Sequence, residues 1–179
     1  MTGRGPAAGQ TETRYAMPFA VLGIVSDGKA LTSVRYLSRS TAPVAPLDRV
    51  AERACREVER YLADPGYLFT VPYRLDGTPF QCRVWYEIEK LREKLREKRP
   101  DTNCSIKTIT YGVMAQRLHS GPRAVGGACG ANPIPLIVPC HRVLAAGGKL
   151  GGFMGGKDPF PLSVKRWLLR HEGILQADH

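Results

Sequence analysis

Cys140 and His141 stand side by side in a stretch without carboxylates: no Asp or Glu occurs between Asp101 and Asp158. A cysteine becomes a useful nucleophile when it is held as thiolate, and a neighbouring imidazole can take its proton directly or through a water. A carboxylate can then orient that imidazole, and Glu172 is the candidate the chain offers. Adjacent side chains seldom point the same way, so a sharp turn or a bridging water is needed. The residue types leave a second reading open, a buried structural cysteine beside a hydrogen-bonded histidine. A zinc site fails on spacing. Cys55, Cys82, Cys104, Cys129 and Cys140 stand singly, no Cys-x-x-Cys pair occurs, and only His141 lies close to a cysteine.

These residues need elements to present them. The apolar run 134–138 lies between Pro133 and Pro139 and reads as a buried strand-like segment that delivers Cys140. Ahead of it, helices are predicted over 110–118 and 122–131, joined through His119-Ser120-Gly121, the pattern of a helix-turn-helix. The second is rich in Gly and Ala, so its backbone can come close to something, and Arg123 is the long side chain near its start. A glycine-rich loop spans 147–156, and a last helix spans 162–171 with Val164, Trp167 and Leu168 on one face. Further upstream, Thr78 caps a helix with Pro79 at its first position, predicted over 80–99. Its outer Lys/Glu/Arg face reads as solvated charge at helical spacing.

The first part of the chain has a different character. Runs at 20–25 and 31–37 flank Asp27-Gly28, a hairpin signal. A helix is predicted over 47–63, ended by Asp64-Pro65-Gly66, and another strand over 68–75. Residues 1–14 read as a flexible lead-in with no signal-peptide core. The turn Asp76-Gly77-Thr78-Pro79 and a change in charge set a domain boundary near residue 76, giving domains 1–76 and 77–179. The fold class is α+β: a small N-terminal antiparallel sheet with a helix, then a mainly helical C-terminal domain.

The net charge of +10 is unevenly placed. Residues 77–179 carry sixteen basic and eight acidic side chains, against ten and eight before them. Residues 102–157 hold six basic residues and no acid, which suits a surface that approaches phosphates. An odd number of cysteines argues against a secreted disulfide scaffold and for reduced thiols, with a Cys82–Cys104 pair as the open exception. No apolar run is long enough to span a membrane.

Beyond these physical readings, the string from Asn132-Pro133 to Pro139-Cys140-His141-Arg142-Val143 resembles the active-site signature of the O6-alkylguanine-DNA alkyltransferases, also called methylated-DNA–protein-cysteine methyltransferases. Residues 78–85, Thr110-Tyr111-Gly112, Arg123-Ala124-Val125-Gly126, the glycine-rich loop and residues 165–172 follow in that family's order, so the resemblance covers about residues 78–173. It implies a ribonuclease-H-like N-terminal domain and a winged helix-turn-helix-like C-terminal one. It implies irreversible, single-turnover transfer of the alkyl group of O6-alkylguanine to Cys140 after nucleotide flipping, with O4-alkylthymine as a further candidate substrate. By the same resemblance His141 acts on Cys140 through a water, Glu172 holds His141, and Asn132 braces the turn.

The resemblance also implies a partner and a grip. Tyr111 would contact the flipped base, Arg123 would fill the gap it leaves, and Ala124, Gly127 and Ala128 would approach the minor groove of double-stranded DNA. Val143, Gly151, Phe153, Met154 and Gly155 would line the base pocket. No metal or organic cofactor is implied. The expected protein is a monomer, cytoplasmic or, in a eukaryote, nuclear. Two alternatives remain: a non-enzymatic lesion-binding relative of the same fold, and a helix-turn-helix regulator with a structural or redox-sensing cysteine. The sequence departs from the family's pattern in several places. The interval between Trp85 and Tyr111 is long, the turn before Arg123 is short, and residues 157–163 carry extra residues with two prolines. Phe153-Met154 replaces a tyrosine followed by a small or polar residue, and the N-terminal part lacks the Cys/His cluster that gives some members a zinc site.

Overall fold

The computed structural model describes residues 6–93, 108–156 and 158–176. The chain divides into two compact units, Met1–Leu75 and Asp76–His179.

The first unit is a three-stranded antiparallel sheet, ordered β1(Thr11–Ala16), β2(Val21–Ser26) and β3(Leu31–Leu37), with helix α1(Arg49–Ala63) against β2. Every residue of the central strand is buried, as expected of a strand with a neighbour on each edge. Asp27-Gly28 makes the β2–β3 turn, with Gly28 at φ 80°. Asp48 caps α1 by accepting from the Ala51 amide at 2.8 Å, and its other carboxylate oxygen accepts from the Thr11 hydroxyl at 2.6 Å, tying the helix start to β1. Inside the unit, the Glu57 carboxylate accepts from the Thr70 and Val71 amides at 2.7 and 3.0 Å, which fixes the chain after α1.

Two expectations change here. Residues 11–14 belong to β1 and are not a flexible lead-in. Their polar alternation, Thr-Glu-Thr-Arg, is that of an edge strand with one partner, and it pairs in register with β2 from Thr11↔Ser26 to Ala16↔Val21. The predicted strand over 68–75 is an extended segment with a single bridge, Leu31↔Tyr73. Pro72 has no amide hydrogen to extend a ladder, and only its carbonyl is used, by the Leu31 amide at 2.8 Å.

The second unit begins with helix α2(Pro79–Glu93). Its start is a reciprocal cap: the Gln81 amide donates to the Thr78 hydroxyl at 3.3 Å, and the Thr78 amide donates to the Gln81 side-chain oxygen at 2.8 Å. The rest of the predicted helix, residues 94–99, lies outside the described residues, as does Cys104. Strand β4(Ile109–Thr110) runs straight into helix α3(Tyr111–Arg117), capped by the Thr110 hydroxyl. Helix α4(Pro122–Gly130) follows, with Pro122 in its first turn. After a loop come a 3₁₀ turn, Cys140–Arg142, strand β5(Val143–Leu144), a second 3₁₀ turn, Ala146–Gly148, and helix α5(Pro159–His171).

The parallel pair β4–β5 was not legible as strands. Its register, Ile109↔Val143 and Thr110↔Leu144, sets the start of α3 beside the chain leaving Cys140. The run 134–138 is a buried loop and not strand-like. Leu136 sits at φ 76°, and the Val138 amide returns to the Ile134 carbonyl at 2.9 Å, so the prolines around it enforce a tight turn. α5 starts three residues earlier than predicted, because Pro159 suits a first helical turn where no amide partner is needed.

α2 is locked to α4 by Trp85, which is 1 % exposed and donates from Nε1 to the Ala128 carbonyl at 2.8 Å. Gly77 lies under the same indole, and a Cβ there would collide with its six-membered ring. Gly77→Ala is expected to cost about 1–3 kcal/mol, the ordinary penalty of overpacking, and to lower the Tm by several degrees. Thermal unfolding followed by circular dichroism checks this; an unchanged Tm contradicts the role given to Gly77.

Candidate active site

Asn132 builds the turn that presents the cysteine. Its side-chain amide donates to the Val138 carbonyl at 2.9 Å, and its side-chain oxygen accepts from the Ile134 amide at 3.0 Å. One side chain thereby closes the loop on both sides. Pro139 then leads into the 3₁₀ turn, where the Cys140 amide donates to the Val138 carbonyl at 2.8 Å and the Arg142 amide to the Pro139 carbonyl at 3.0 Å.

Cys140, His141 and Arg142 are all buried, His141 completely. His141 and Glu172, thirty-one residues apart, meet at 2.9 Å between Nε2 and Oε1. Arg142 holds the same carboxylate with two bonds, Nε to Oε2 at 3.0 Å and Nη2 to Oε1 at 2.8 Å. Burial opposes a charge on Glu172, but His141 and Arg142 outweigh it and hold the acid down to about 2. An ionised carboxylate can only accept, so His141 Nε2 carries the hydrogen. That leaves Nδ1 as the acceptor of the ring, and it has no hydrogen-bond partner among the described residues. Burial also lowers the histidine's proton affinity, with Glu172 opposing, so the ring is neutral near pH 7 and free to take a proton. Burial pushes the Cys140 thiol up, while Asn132 and the Lys165 ammonium pull the other way.

Cys140 opens onto a cleft of about 690 Å³. One wall is the start of α3, with Tyr111 and Gly112; another is the side of α4 that carries Arg123, Gly126, Gly127 and Gly130. The third is the glycine-rich loop from Gly151 to Gly156, with Ala145 and Ala146 before it. Gly151 at φ 67° is needed there, since a Cβ would also stand 3.0 Å from the Tyr111 ring. The Tyr111 hydroxyl donates to the Gly152 carbonyl at 3.0 Å, and burial raises its pKa.

Sequence reasoning gave no role to two residues that the structure makes central. Arg142 was quoted in a motif and counted among the basic residues of the acid-free stretch, whereas it grips Glu172. Lys165 is fully buried and donates to three carbonyls: Val143 at 2.7 Å, Leu150 at 2.6 Å and Gly152 at 3.1 Å. It also lies 5.6 and 5.9 Å from the Tyr111 and Phe153 ring centres. Burial lowers its pKa to about 8, against the pull of Cys140 and Cys129. Its signal in the sequence was weak: a lysine next to the Val164–Leu168 stripe of an amphipathic helix reads as solvated.

Other expected site residues are brought to the cleft, and three are not. Gly127, Gly151, Phe153, Met154 and Gly155 line it, whereas Ala124 is exposed on α4 outside the lining. Ala128 is buried, because its position on α4 turns inward to meet Trp85, so it does not share the exposed face with Ala124 and Gly127. Val143 is fully buried behind the cleft wall, where its carbonyl serves Lys165. Cys129 lines the cleft and was not anticipated there.

Fold and site together define an α+β protein in which a buried cysteine, next in sequence to a buried histidine that pairs with a carboxylate, opens onto a cleft. Comparison with known proteins gives the family. Residues 105–174 match the family described as 6-O-methylguanine DNA methyltransferase, DNA binding domain. The methylated-DNA–protein-cysteine methyltransferase of Haemophilus influenzae is 32% identical over 174 residues, 93% of this chain and 88% of that protein. The protein of the same name from Methanosarcina acetivorans is 37% identical over 166 residues, 89% of this chain and 96% of that one. The crystal structure of Mycobacterium tuberculosis OGT in complex with DNA matches with a TM-score of 0.69 at 34% identity, covering 90% of this chain and 91% of that one. The chain belongs to the methylated-DNA–protein-cysteine methyltransferase family.

The buried carboxylate makes stability depend on acid. Glu172 is depressed in the folded state, so its contribution is complete above the ordinary carboxylate value of 4.5 and is lost as pH falls toward about 2. His141 is held below 6.5, so the unfolded chain takes that proton first and stability starts to decline below that pH. Urea midpoints measured from neutral pH to about pH 3 should fall through both windows. Glu172→Gln should lose about 3–5 kcal/mol at neutral pH, because it leaves Arg142 buried without its counter-charge, and should show a shallower fall in the lower window, where the depressed carboxylates Asp48 and Glu57 still titrate. A lower window of unchanged depth contradicts the assignment.

Proposed function

We propose that this protein repairs DNA directly, moving the alkyl group of O6-alkylguanine onto Cys140, one group per molecule. The observation that carries the reading is the His141–Glu172 pair buried beside Cys140 at the edge of an open cleft. His141, through its Nδ1 and a bridging water, takes the thiol proton; Glu172 stabilises the imidazolium that forms; Asn132 fixes the turn. The thiolate displaces guanine at the alkyl carbon. A C–S bond forms, the C–O bond breaks, and the electron pair returns to O6 and the purine ring. Tyr111, turned from the Gly152 carbonyl, is the candidate donor to the leaving base. The thioether is not readily hydrolysed or reduced, so the protein is consumed.

O6 lies inside the duplex, so the nucleotide must be flipped out, at a cost of a few kcal/mol. The exposed face of α4, with Ala124 and Gly127, would lie in the minor groove, and Arg123 at its first turn would fill the gap, which offsets part of that cost. Residues 77–179 would serve as a winged helix-turn-helix-like DNA-binding and acceptor domain, and residues 1–76 as a ribonuclease-H-like companion. The protein would act as a monomer wherever the cell keeps its DNA, with the cytoplasm or nucleus as its compartment. O4-alkylthymine stays a second candidate substrate.

Incubating the protein with a duplex that carries O6-methylguanine should add one methyl group, read by mass spectrometry on the Cys140 peptide. Cys140→Ala should bind the duplex and take up nothing. An unmodified Cys140 peptide with binding retained overturns the reading and leaves a lesion-binding protein. Arg123→Ala should lose more repair on duplex than on single-stranded substrate, where there is no gap to fill; equal losses refute the intercalation role.

A further inference from the structure

Two thiols share the cleft. Among the described cysteines, Cys129 and Cys140 line it, whereas Cys55 and Cys82 do not. They are 6 % and 3 % exposed, so a reagent reaches either one through that opening. They come from different elements. Cys129 lies in the last turn of α4, and Cys140 opens the 3₁₀ turn. Asn132 ties the two segments together. Its backbone amide donates to the Cys129 carbonyl at 3.3 Å, and its side chain holds the Val138 carbonyl at 2.9 Å and the Cys140 sulfur. The Lys165 ammonium draws on both sulfurs, and a thiolate at Cys140 opposes one at Cys129. Two sulfurs and one cation therefore occupy a single buried corner of the cleft.

The two thiols are not equivalent. Cys140 is followed by His141, whose Nδ1 is an acceptor without a partner among the described residues, so a proton can leave Cys140 by that route. At Cys129 burial dominates and pushes the thiol well up. Thiolate character decides which sulfur an oxidant attacks first. A peroxide that enters the cleft of about 690 Å³ thus reacts at Cys140. The resulting sulfenic acid has two fates. A second thiol converts it to a disulfide, which reductants reverse, and a second peroxide converts it to a sulfinic acid, which they do not. For a protein that reacts once per molecule, the second fate is as final as alkylation.

We propose that Cys129 is the resolving partner of Cys140: hydrogen peroxide oxidises Cys140, and Cys129 captures the product as a reversible Cys129–Cys140 disulfide. This rests on Cys140 being the activated thiol of the alkyl-transfer reading. In the first step the Cys140 sulfur attacks peroxide. An S–O bond forms, the O–O bond breaks, and the hydroxide released leaves as water with the proton that Cys140 gave up. In the second step the Cys129 sulfur attacks the Cys140 sulfur. The S–S bond forms, the S–O bond breaks, and the hydroxyl leaves as water with the Cys129 proton. The two thiols lose two electrons and one peroxide is reduced. Lys165 favours the anionic sulfur at each step. The disulfide leaves no free thiolate for alkyl transfer until a reductant restores it.

The test treats the full-length protein with hydrogen peroxide, blocks remaining thiols with iodoacetamide and maps the peptides by mass. The parent should yield a peptide pair joined through Cys129 and Cys140, lighter by two hydrogens than the separate thiol peptides. Methyl transfer from an O6-methylguanine duplex should fall about tenfold and return to within about twofold of the untreated rate after dithiothreitol. Cys129→Ala and Cys129→Ser should fall under the same dose and regain less than about half, with sulfinic acid on the Cys140 peptide. Each variant is read against its own untreated rate, so a change in folding or in starting activity does not enter. A parent with sulfinic acid and no linked pair, a Cys140 joined to another cysteine, or variants that recover as fully as the parent overturn the inference. A protein that takes up no methyl group before oxidation defeats the alkyl-acceptor reading, while the linked peptide still decides this one.

Discussion

A single carboxylate, Glu172, with its side chain wholly out of solvent, binds an imidazole and a guanidinium at once. An isolated charge in such a place is prohibitively costly, and only paired, hydrogen-bonded partners make it tolerable. Arg142 supplies the permanent counter-charge through two bonds, and burial keeps His141 neutral. Of the two residues that follow Cys140, Arg142 keeps the carboxylate ionised and His141 hydrogen-bonds to it. The pair also ties α5 to the turn that carries the thiol, across a separation of thirty-one residues.

A second buried charge, of opposite sign, organises the other side of the thiol. Lys165 extends from α5 into three backbone carbonyls, two on the glycine-rich loop and one on β5. A loop this rich in glycine has little side-chain packing to hold its shape. Charge-assisted bonds from a buried ammonium do that work, each stronger than its neutral counterpart. Because Gly152 accepts from both Lys165 and Tyr111, the loop, α5 and α3 share one network. The loop wall of the cleft and the turn that carries Cys140 are consequently both tied to the same helix.

Glycines and alanines then decide what can approach. At Gly130 and Gly155 the absence of side chains lets α4 and the loop touch through their backbones, while at Gly127 it leaves an open surface. The fold uses one residue type for two purposes, close internal packing on one side of α4 and access on the other. Ala128 and Trp85 mark the inner side of that helix, and Ala124 the outer.

How much of this the sequence determined follows from the range of the forces involved. Helix starts at Thr78, Thr110 and Pro122, the β2–β3 turn at Asp27-Gly28 and the end of α1 at Asp64 were legible, because caps and turns are set within a few residues. Cys140, His141 and Glu172 were legible as candidates, since an acid-free stretch left few partners to consider. The polar edge strand β1 and the two-residue strands β4 and β5 were not, because pairing alone defines them. Nor were the burial of Lys165, the grip of Arg142 on Glu172 or the inward turn of Ala128. A basic side chain in a sequence gives no sign of whether water or a ring of carbonyls will surround it. Only the packing of α5 against the Cys140 turn and the loop decided that, because desolvation depends on everything that closes around a charge and not on its neighbours in the chain.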